Sequence, residues 1–283
     1  MDAALLSPPK SANLYAVVIE LGAASQQPIP VSLGRALHSQ FMDWLTLADP
    51  QTADIIHRTQ ISPFTLSGLI GYRRQPKTKL GDNFVFRICL LDGNLIDLLL
   101  KGLENWDNQR LYLGNCPFVI RNTYTLPDTH PLVDISDYAK LANVDKIFDE
   151  ITLKFLSPTS FKQKQEVQPF PLPELVFNSL LRRWNYFAPQ ELRFPAVEWQ
   201  AVVSGYELKT FALQLEVAGE IGAEGWVRYR FKDSEQAKIA TVLANFACFA
   251  GVGRKTAMGM GQVSIRNTSL RDAPRTATLS TSS

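Results

Sequence analysis

Hydrophobic and polar positions along this chain follow two periods, and the periods alternate in the same order twice. Leu14 to Leu21 is a strand-length apolar run. From Leu33 to Leu47 the repeat lengthens to that of a helix, with Leu37, Phe41, Trp44 and Leu45 on one face. Strands are expected next at Phe64–Tyr72 and Phe84–Leu91, then a helix marked by Leu95, Leu98, Leu99 and Leu103. Arg110–Leu113 and Pro117–Tyr124 read as closing strands. The order is β-α-β-β-α-β, that of a ferredoxin-like domain.

The second half repeats it. Ile151–Leu156 is a strand, Leu175–Tyr186 a helix, and Tyr206–Val217 with Trp226–Phe231 a hairpin. Asp233, with Gln236 three residues on, has the pattern of a capping box opening a helix that runs to Ala250. Gln262–Ile265 closes the sheet. The expected class is therefore α+β, with tandem ferredoxin-like domains over residues 1–145 and 146–267. Pro127 to Asp145 is the expected connection, and residues 268–283, rich in Ser, Thr, Ala and Arg, are expected to form a disordered tail.

Composition narrows the function classes. At 283 residues and 46% hydrophobic content, the chain is long enough to bury one large core or two ordinary ones. Its longest uncharged run, Ile239 to Gly253, falls short of the ~18 residues of a membrane span, and the N-terminus lacks a charged-then-apolar signal. A soluble, cytoplasmic protein is expected. Cys89, Cys116 and Cys248 are odd in number and far apart, which suits buried thiols rather than disulfides or a metal knuckle. Neither a His-x-x-x-His pair nor a Gly-x-Ser-x-Gly elbow occurs, and no metal or cofactor is expected.

Net charge is only +2, but it is unevenly placed. Arg58, Arg73, Arg74, Lys77, Lys79 and Arg87 stand against the single acid Asp82, whereas Asp92 to Glu150 holds ten acids and five bases. A basic side on a balanced protein suits a polyanion, with a solvated basic loop as the alternative for Arg73 to Lys79.

The segment from Phe249 to Val263 packs Gly251, Gly253, Gly259 and Gly261 with Arg254, Lys255 and Thr256 between a helix and a strand. Such a loop can bring backbone N–H groups to a phosphate chain, with Arg254 and Lys255 adding charge. A tight helix-to-strand turn is the alternative. Helix before loop and strand after is the reverse of a nucleotide-binding motif, and Arg254 breaks the Gly-Lys-Thr of a phosphate-binding loop.

Four segments carry a family resemblance. They are Phe249 to Gly261, Thr152 to Phe161, Leu180-Leu181-Arg182-Arg183-Trp184, and Asp54-Ile55-Ile56-His57 followed by Ser62-Pro63-Phe64-Thr65-Leu66-Ser67. In this order they resemble the CRISPR-associated repeat-specific endoribonucleases, in the superfamily of repeat-associated ferredoxin-like RNA-binding proteins. The resemblance runs from Leu14 to about Ile265. It implies a metal-independent endoribonuclease that cuts CRISPR repeat RNA in precursor crRNA by attack of the RNA's own 2′-hydroxyl. The products would carry a 5′-hydroxyl and a 2′,3′-cyclic phosphate, and the mature crRNA, with other subunits of an interference complex, would be the partners.

In such a reaction the protein supplies proton transfer, alignment and charge stabilisation. The resemblance places the catalytic histidine at His57. His38 on the first helix is a second candidate proton donor, and His130 has no expected role. Some relatives carry a tyrosine on the first helix and a lysine before the Pro-Phe strand, where this chain has Met42 and Gln60 to Ser62. Arg58 or Lys255 is the candidate to stabilise the phosphorane instead. For RNA contact the resemblance favours Lys154, Ser157, Ser160, Lys162, Lys164, Arg182, Arg183, Gly251, Gly253, Arg254 and Lys255, with Phe161 and Tyr206 as candidate stacking residues. Arg182 and Arg183 point about 100° apart on a helix, so at most one faces a ligand. A homologous subunit that holds crRNA without cutting it, and an RNA-binding protein unrelated to CRISPR, stay open at this point.

Overall fold

A computed structural model describes residues 12–30, 33–71, 77–107, 109–215 and 218–266. Arg73, Arg74 and the tail from Thr268 lie outside the described residues. The first half runs β1 (Leu14–Ala23), α1 (Gly34–Ala48), α2 (Pro50–Arg58), β2 (Phe64–Leu66), β3 (Ile70–Gly71), β4 (Asn83–Leu90), α3 (Leu95–Asn105), β5 (Leu111–Leu113), β6 (Cys116–Tyr124), β7 (Asp134–Ser136) and α4 (Tyr138–Ala142). The second half runs β8 (Glu150–Thr159), β9 (Phe161–Gln163), β10 (Glu166–Gln168), α5 (Pro173–Phe187), β11 (Ala201–Leu215), β12 (Ala218–Phe231), α6 (Ser234–Ala250) and β13 (Val263–Arg266). One-turn 3-10 helices lie at Gln190–Leu192 and Thr256–Met258.

The first sheet has the order β2-β4-β1-β6-β5, with β3 on β4 and β7 on β1; the second has the order β11-β12-β8-β13. In both, the strand before the first helix and the strand after the hairpin turn lie side by side at the centre, as the ferredoxin-like order requires. Every pairing within them is antiparallel. Among the described residues no helix is long and apolar enough to cross a membrane.

Differences from the sequence reading have local causes. The expected strand Phe64–Tyr72 is broken, because Ser67 Oγ accepts from Arg87 N at 2.8 Å and donates to Gly68 O at 2.8 Å. At that break Ser67 forms an isolated parallel bridge with Gly259 of the glycine loop. The hairpin strands β11 and β12 are longer than their apolar pattern, since cross-strand pairing carries polar residues such as Lys209 and Glu224 along. Asp233 caps α6 through Gln236 N at 2.7 Å, but the Gln236 side chain reaches to Gln200 N and Glu198 O, so the reciprocal half of the capping box is absent. The expected connection, Pro127 to Asp145, contains β7 and α4 and is partly built into the first sheet.

Two apolar cores result. The first lies between the first sheet and α1 and α3, around Trp44, Phe41, Phe86 and Phe118. The second lies between the second sheet and α5 and α6, around Trp184, Phe177, Tyr229 and Phe246. They interlock: Leu14, Ala16, Cys89 and Leu91 of the first half belong to the second core, and Ala257 of the glycine loop belongs to the first. Cys89 and Cys116 are buried, Cys248 is partly so, and burial pushes all three thiols up from their ordinary range.

The last carbonyls of α6 are held from outside the helix. Arg87 donates to Cys248 O at 2.6 Å, Thr65 Oγ1 to Phe249 O at 2.8 Å, and Arg183 to Ala250 O. A helix C-terminus leaves such acceptors unpaired and carries partial negative charge, so two guanidinium groups and a hydroxyl satisfy both needs. Arg87 and Thr65 come from the first half, which makes this cap a tie between the two halves.

Candidate active site and RNA interface

The histidine site is built on α1, α2 and β2. Asp49 ends α1 in extended conformation and caps α2, accepting from Gln51 N at 3.0 Å and Thr52 N at 3.4 Å, with Pro50 at the first helical position. This Asp-Pro break turns α2 back on α1. His38 is half-buried, its ring 5.7 Å from Phe64 of β2, while His57 is exposed on the last turn of α2. His38 is held below its ordinary value, first by burial and then by the charge of His57. Residues 19 positions apart are thus brought within electrostatic reach. Arg58 is turned away to Asp54, at 2.9 Å on the exposed side of α2. His130 lies elsewhere, beside Tyr124 at 5.2 Å, with Nδ1 accepting from Leu132 N.

The glycine loop is held from inside. All four of its glycines and Lys255 have positive φ. Gly251 N donates to Ala247 O, Val252 N to Gly261 O, Gly253 N to Ser179 Oγ, Arg254 N to Ser160 O, and Gly261 N to Pro158 O. This corrects the expectation that Gly251 and Gly253 hold RNA through their N–H groups, because those donors are already engaged. The glycines serve close approach instead: a Cβ at Gly253 would lie 2.3 Å from Ser160 O. On the other side of the loop, Met258 O sits where a Cβ at Gly34 of α1 would be, 2.0 Å away. The loop therefore abuts the start of the helix that carries His38.

Its two cations converge on one buried carboxylate. Glu220 of β12 accepts from Arg254 at 2.7 Å and pairs with Lys255, with Ser160 Oγ at 3.4 Å from the same carboxylate. Sequence reading missed Glu220, which sits 34 residues from Arg254 in a hairpin with no local motif. Arg183 is likewise corrected as a direct contact. It is 8% exposed and donates to Ala250 O and Thr256 Oγ1, and burial, then the neighbouring Arg182, pushes its guanidinium down to about 10. Arg182 is the exposed one of the pair.

Several expected contact residues do gather. Lys162, Arg182, Gly253 and Arg254 line a cavity of about 260 Å³ between β9, α5 and the loop. Ser157 and Lys255, with Arg87, Leu132, Leu156 and Gln262, line one of about 480 Å³ between the halves. Lys154 is exposed on β8, and Lys164 is exposed in the β9–β10 turn with φ 56°. Ser160 is fully buried, and Ser157 Oγ accepts from Gln262 N at 2.9 Å, so both serve the loop's packing. Phe161 is 3% exposed and belongs to the second core, which removes it as a stacking surface; Tyr206 is 59% exposed. Among the described residues no group of three or more His, Cys, Asp or Glu side chains converges.

Known proteins share this fold. The family model of CRISPR-associated endoribonuclease Cas6 matches residues 153–263. A CRISPR-associated endoribonuclease Cas6 of Mycobacterium tuberculosis (strain CDC 1551 / Oshkosh) is 28% identical over 138 residues. That match covers 47% of this chain and 44% of the relative, so the chain spans less than half the length of the curated relatives it matches. Among solved structures, a Cas6 (TTHB231) product complex superimposes with a TM-score of 0.77 at 25% identity, covering 90% of this chain and 100% of that one. A Cas6 (TTHA0078) product complex does so with a TM-score of 0.73 at 29% identity, covering 89% and 99%. Protein TTHB231 is from Thermus thermophilus. A RAMP protein that binds different RNA substrates shares the fold at 16% identity. The family match falls on the second half and its glycine loop, and the superpositions extend the likeness across both halves; this chain is similar to the CRISPR-associated endoribonuclease Cas6 proteins.

Proposed function

We propose that this protein is a metal-independent endoribonuclease that cleaves CRISPR repeat RNA within precursor crRNA, through attack of a 2′-hydroxyl on the adjacent phosphate. The observation that carries the reading is the placement of His38 on α1 and His57 at the end of α2, two helices joined at Asp49, near enough for the charge of His57 to act on His38. Strand scission by this route needs one group to take the 2′-hydroxyl proton and another to give a proton to the departing 5′-oxygen. His38, held below its ordinary value, is unprotonated near neutral pH and fits the acceptor. His57, exposed at the end of α2, is assigned the donor. The products are a 2′,3′-cyclic phosphate and a 5′-hydroxyl.

Arg58 is assigned to the developing charge on the phosphorane. Its pair with Asp54 is exposed on both sides, and such pairs are worth only about 0–1 kcal/mol, so the guanidinium is free to exchange partner for a phosphate. Lys162, Arg182 and Arg254 around the smaller cavity are assigned to the RNA backbone, and Lys255 to the edge of the larger one. The two ferredoxin-like halves, divided near residue 145, then contribute separately: the first supplies proton transfer and the second most of the phosphate contacts. The bound partners are repeat RNA and mature crRNA.

Single-turnover cleavage of repeat RNA tests the assignment. His57→Ala and His38→Ala should each slow cleavage by about 10²–10⁴-fold with little change in RNA affinity. One 2′-deoxy nucleotide immediately 5′ of the cut should abolish it, and excess EDTA should not. Undiminished cleavage by the double histidine variant, or strict dependence on Mg²⁺, would overturn the mechanism. Tight repeat binding with no cleavage by the unaltered protein would favour a subunit that only holds crRNA.

A further inference from the structure

Among the described residues, no helix covers one face of the second sheet. Ile151, Leu153 and Phe155 of β8, with Val227, Tyr229 and Phe231 of β12, pack into the second core with α5 and α6. Strand residues alternate between faces, so Lys154 and Leu156, with Trp226, Arg228 and Arg230, fall on the other side. The register aligns them in rows. Glu207, Trp226, Lys154 and Ser264 form one row across four strands, and Gly205, Arg228 and Thr152 form the next.

Trp226 is seated for use of its ring. A Cβ at Gly205, in the neighbouring strand, would make ordinary contact 3.4 Å from two carbons of the indole, so the ring lies directly over that glycine and against the sheet. Its Nε1 lies 3.4 Å from Glu207 Oε2, and the Arg228 guanidinium sits 5.8 Å from the ring centroid while donating to Thr152 Oγ1 at 3.3 Å. Lys154 is exposed on the adjacent strand, and Arg230 pairs with Glu150 at the end of the face. At the other end, Leu156 and Ser264 also line the larger cavity between the halves, so the face runs into that cleft.

We propose that this face is a platform for a single-stranded stretch of RNA, one base stacking on Trp226 and the flanking phosphates meeting Lys154 and Arg228. An aromatic ring lying against a sheet between two cations accepts any base by its π-face and neutralises the backbone beside it. The inference rests on the RNA-binding reading above and adds to it a contact outside the histidine site and the glycine loop.

The test uses a labelled, unstructured ten-nucleotide RNA and the full chain, with binding followed by fluorescence anisotropy at fixed salt. Trp226→Ala should weaken binding roughly 10–100-fold, the range for loss of one stacked base, and Trp226→Phe should restore most of it. Gly205→Val, which presses a side chain against the indole and dislodges it, should weaken binding with Trp226 still present. Equal affinity for Trp226→Ala and the unaltered protein would overturn the platform, as would a Trp226→Phe variant no better than Trp226→Ala. A melting curve checks each fold, and if Gly205→Val does not fold, the alanine and phenylalanine pair decides. The two readings fail separately. A protein that does not cleave repeat RNA but loses oligonucleotide affinity in Trp226→Ala keeps the platform; one that cleaves while its oligonucleotide affinity ignores Trp226 loses the platform alone.

Discussion

Gly253→Ala probes what the glycines of the terminal loop are for. At Gly253 φ is +80°, and a Cβ would stand 2.3 Å from Ser160 O and 3.3 Å from a Phe161 ring carbon. A left-handed conformation costs a residue with a side chain about 1–2 kcal/mol. The contact with Ser160 O is with backbone that itself accepts from Arg254 N at 2.9 Å, so relief by movement breaks that bond, and overpacking of this kind costs about 1–3 kcal/mol. Together the loss of stability is about 2–5 kcal/mol. Gly68→Ala is the matched control, since nothing lies within 4 Å of a Cβ there, and it should stay within about 0.5 kcal/mol of the unaltered protein. Urea unfolding followed by tryptophan fluorescence measures both. Because Gly253 N is already bonded to Ser179 Oγ, RNA affinity measured where the variant is folded should fall only modestly. A Gly253→Ala protein as stable as the Gly68→Ala control, but with RNA binding abolished, would refute the packing argument and return the glycine to direct phosphate contact.

Other expectations concern charge. His38 has its folded value depressed below 6.5, so the folded state takes up less proton than the unfolded chain; the stability it contributes is complete above about pH 6.5 and is lost as pH falls through the folded value. His38→Gln should flatten that part of a plot of urea midpoint against pH between 5 and 7, and an unchanged plot would dismiss the depression. Glu220→Gln should release Arg254 and Lys255, steepening the slope of log RNA affinity against log salt by up to about 2 while lowering stability by about 1–2 kcal/mol. A salt titration with an unaltered slope would show that these cations do not reach phosphate. Arg87→Met should strand Leu132 O and Cys248 O, costing about 2–4 kcal/mol by thermal or urea unfolding, and a neutral effect would deny the tie between the halves.

What could be read from the sequence was whatever leaves a periodic or local mark. The β-α-β-β-α-β order appeared twice because each helix and central strand buries one apolar face, as Leu37, Phe41, Trp44 and Leu45 do on α1. The start of α6 was visible in Asp233, and the glycine loop in its composition. The candidacy of His57 came from the resemblance carried by Asp54 to His57 and Ser62 to Ser67, and that of His38 from its place on the first helix. Tertiary structure decided how these pieces are used. That His57 comes within electrostatic reach of His38 depends on the turn at Asp49, and the seating of His38 depends on Phe64; neither is a property of the histidines' own neighbours in sequence. In the loop that reads as a phosphate cradle, the N–H groups of Gly251, Gly253, Arg254 and Gly261 are engaged by Ala247, Ser179, Ser160 and Pro158, acceptors that the packed fold supplies. Of the adjacent Arg182 and Arg183, helix geometry alone says that they diverge; the orphaned carbonyls at the end of α6 decide that Arg183 turns inward. Glu220 leaves no mark in its own segment at all, because its meaning comes from two cations more than thirty residues away. The physical reason is common to all of these: hydrophobic periodicity is a local average that survives in one dimension, whereas the fate of a single charge or N–H group depends on which partner the fold brings within about 3 Å.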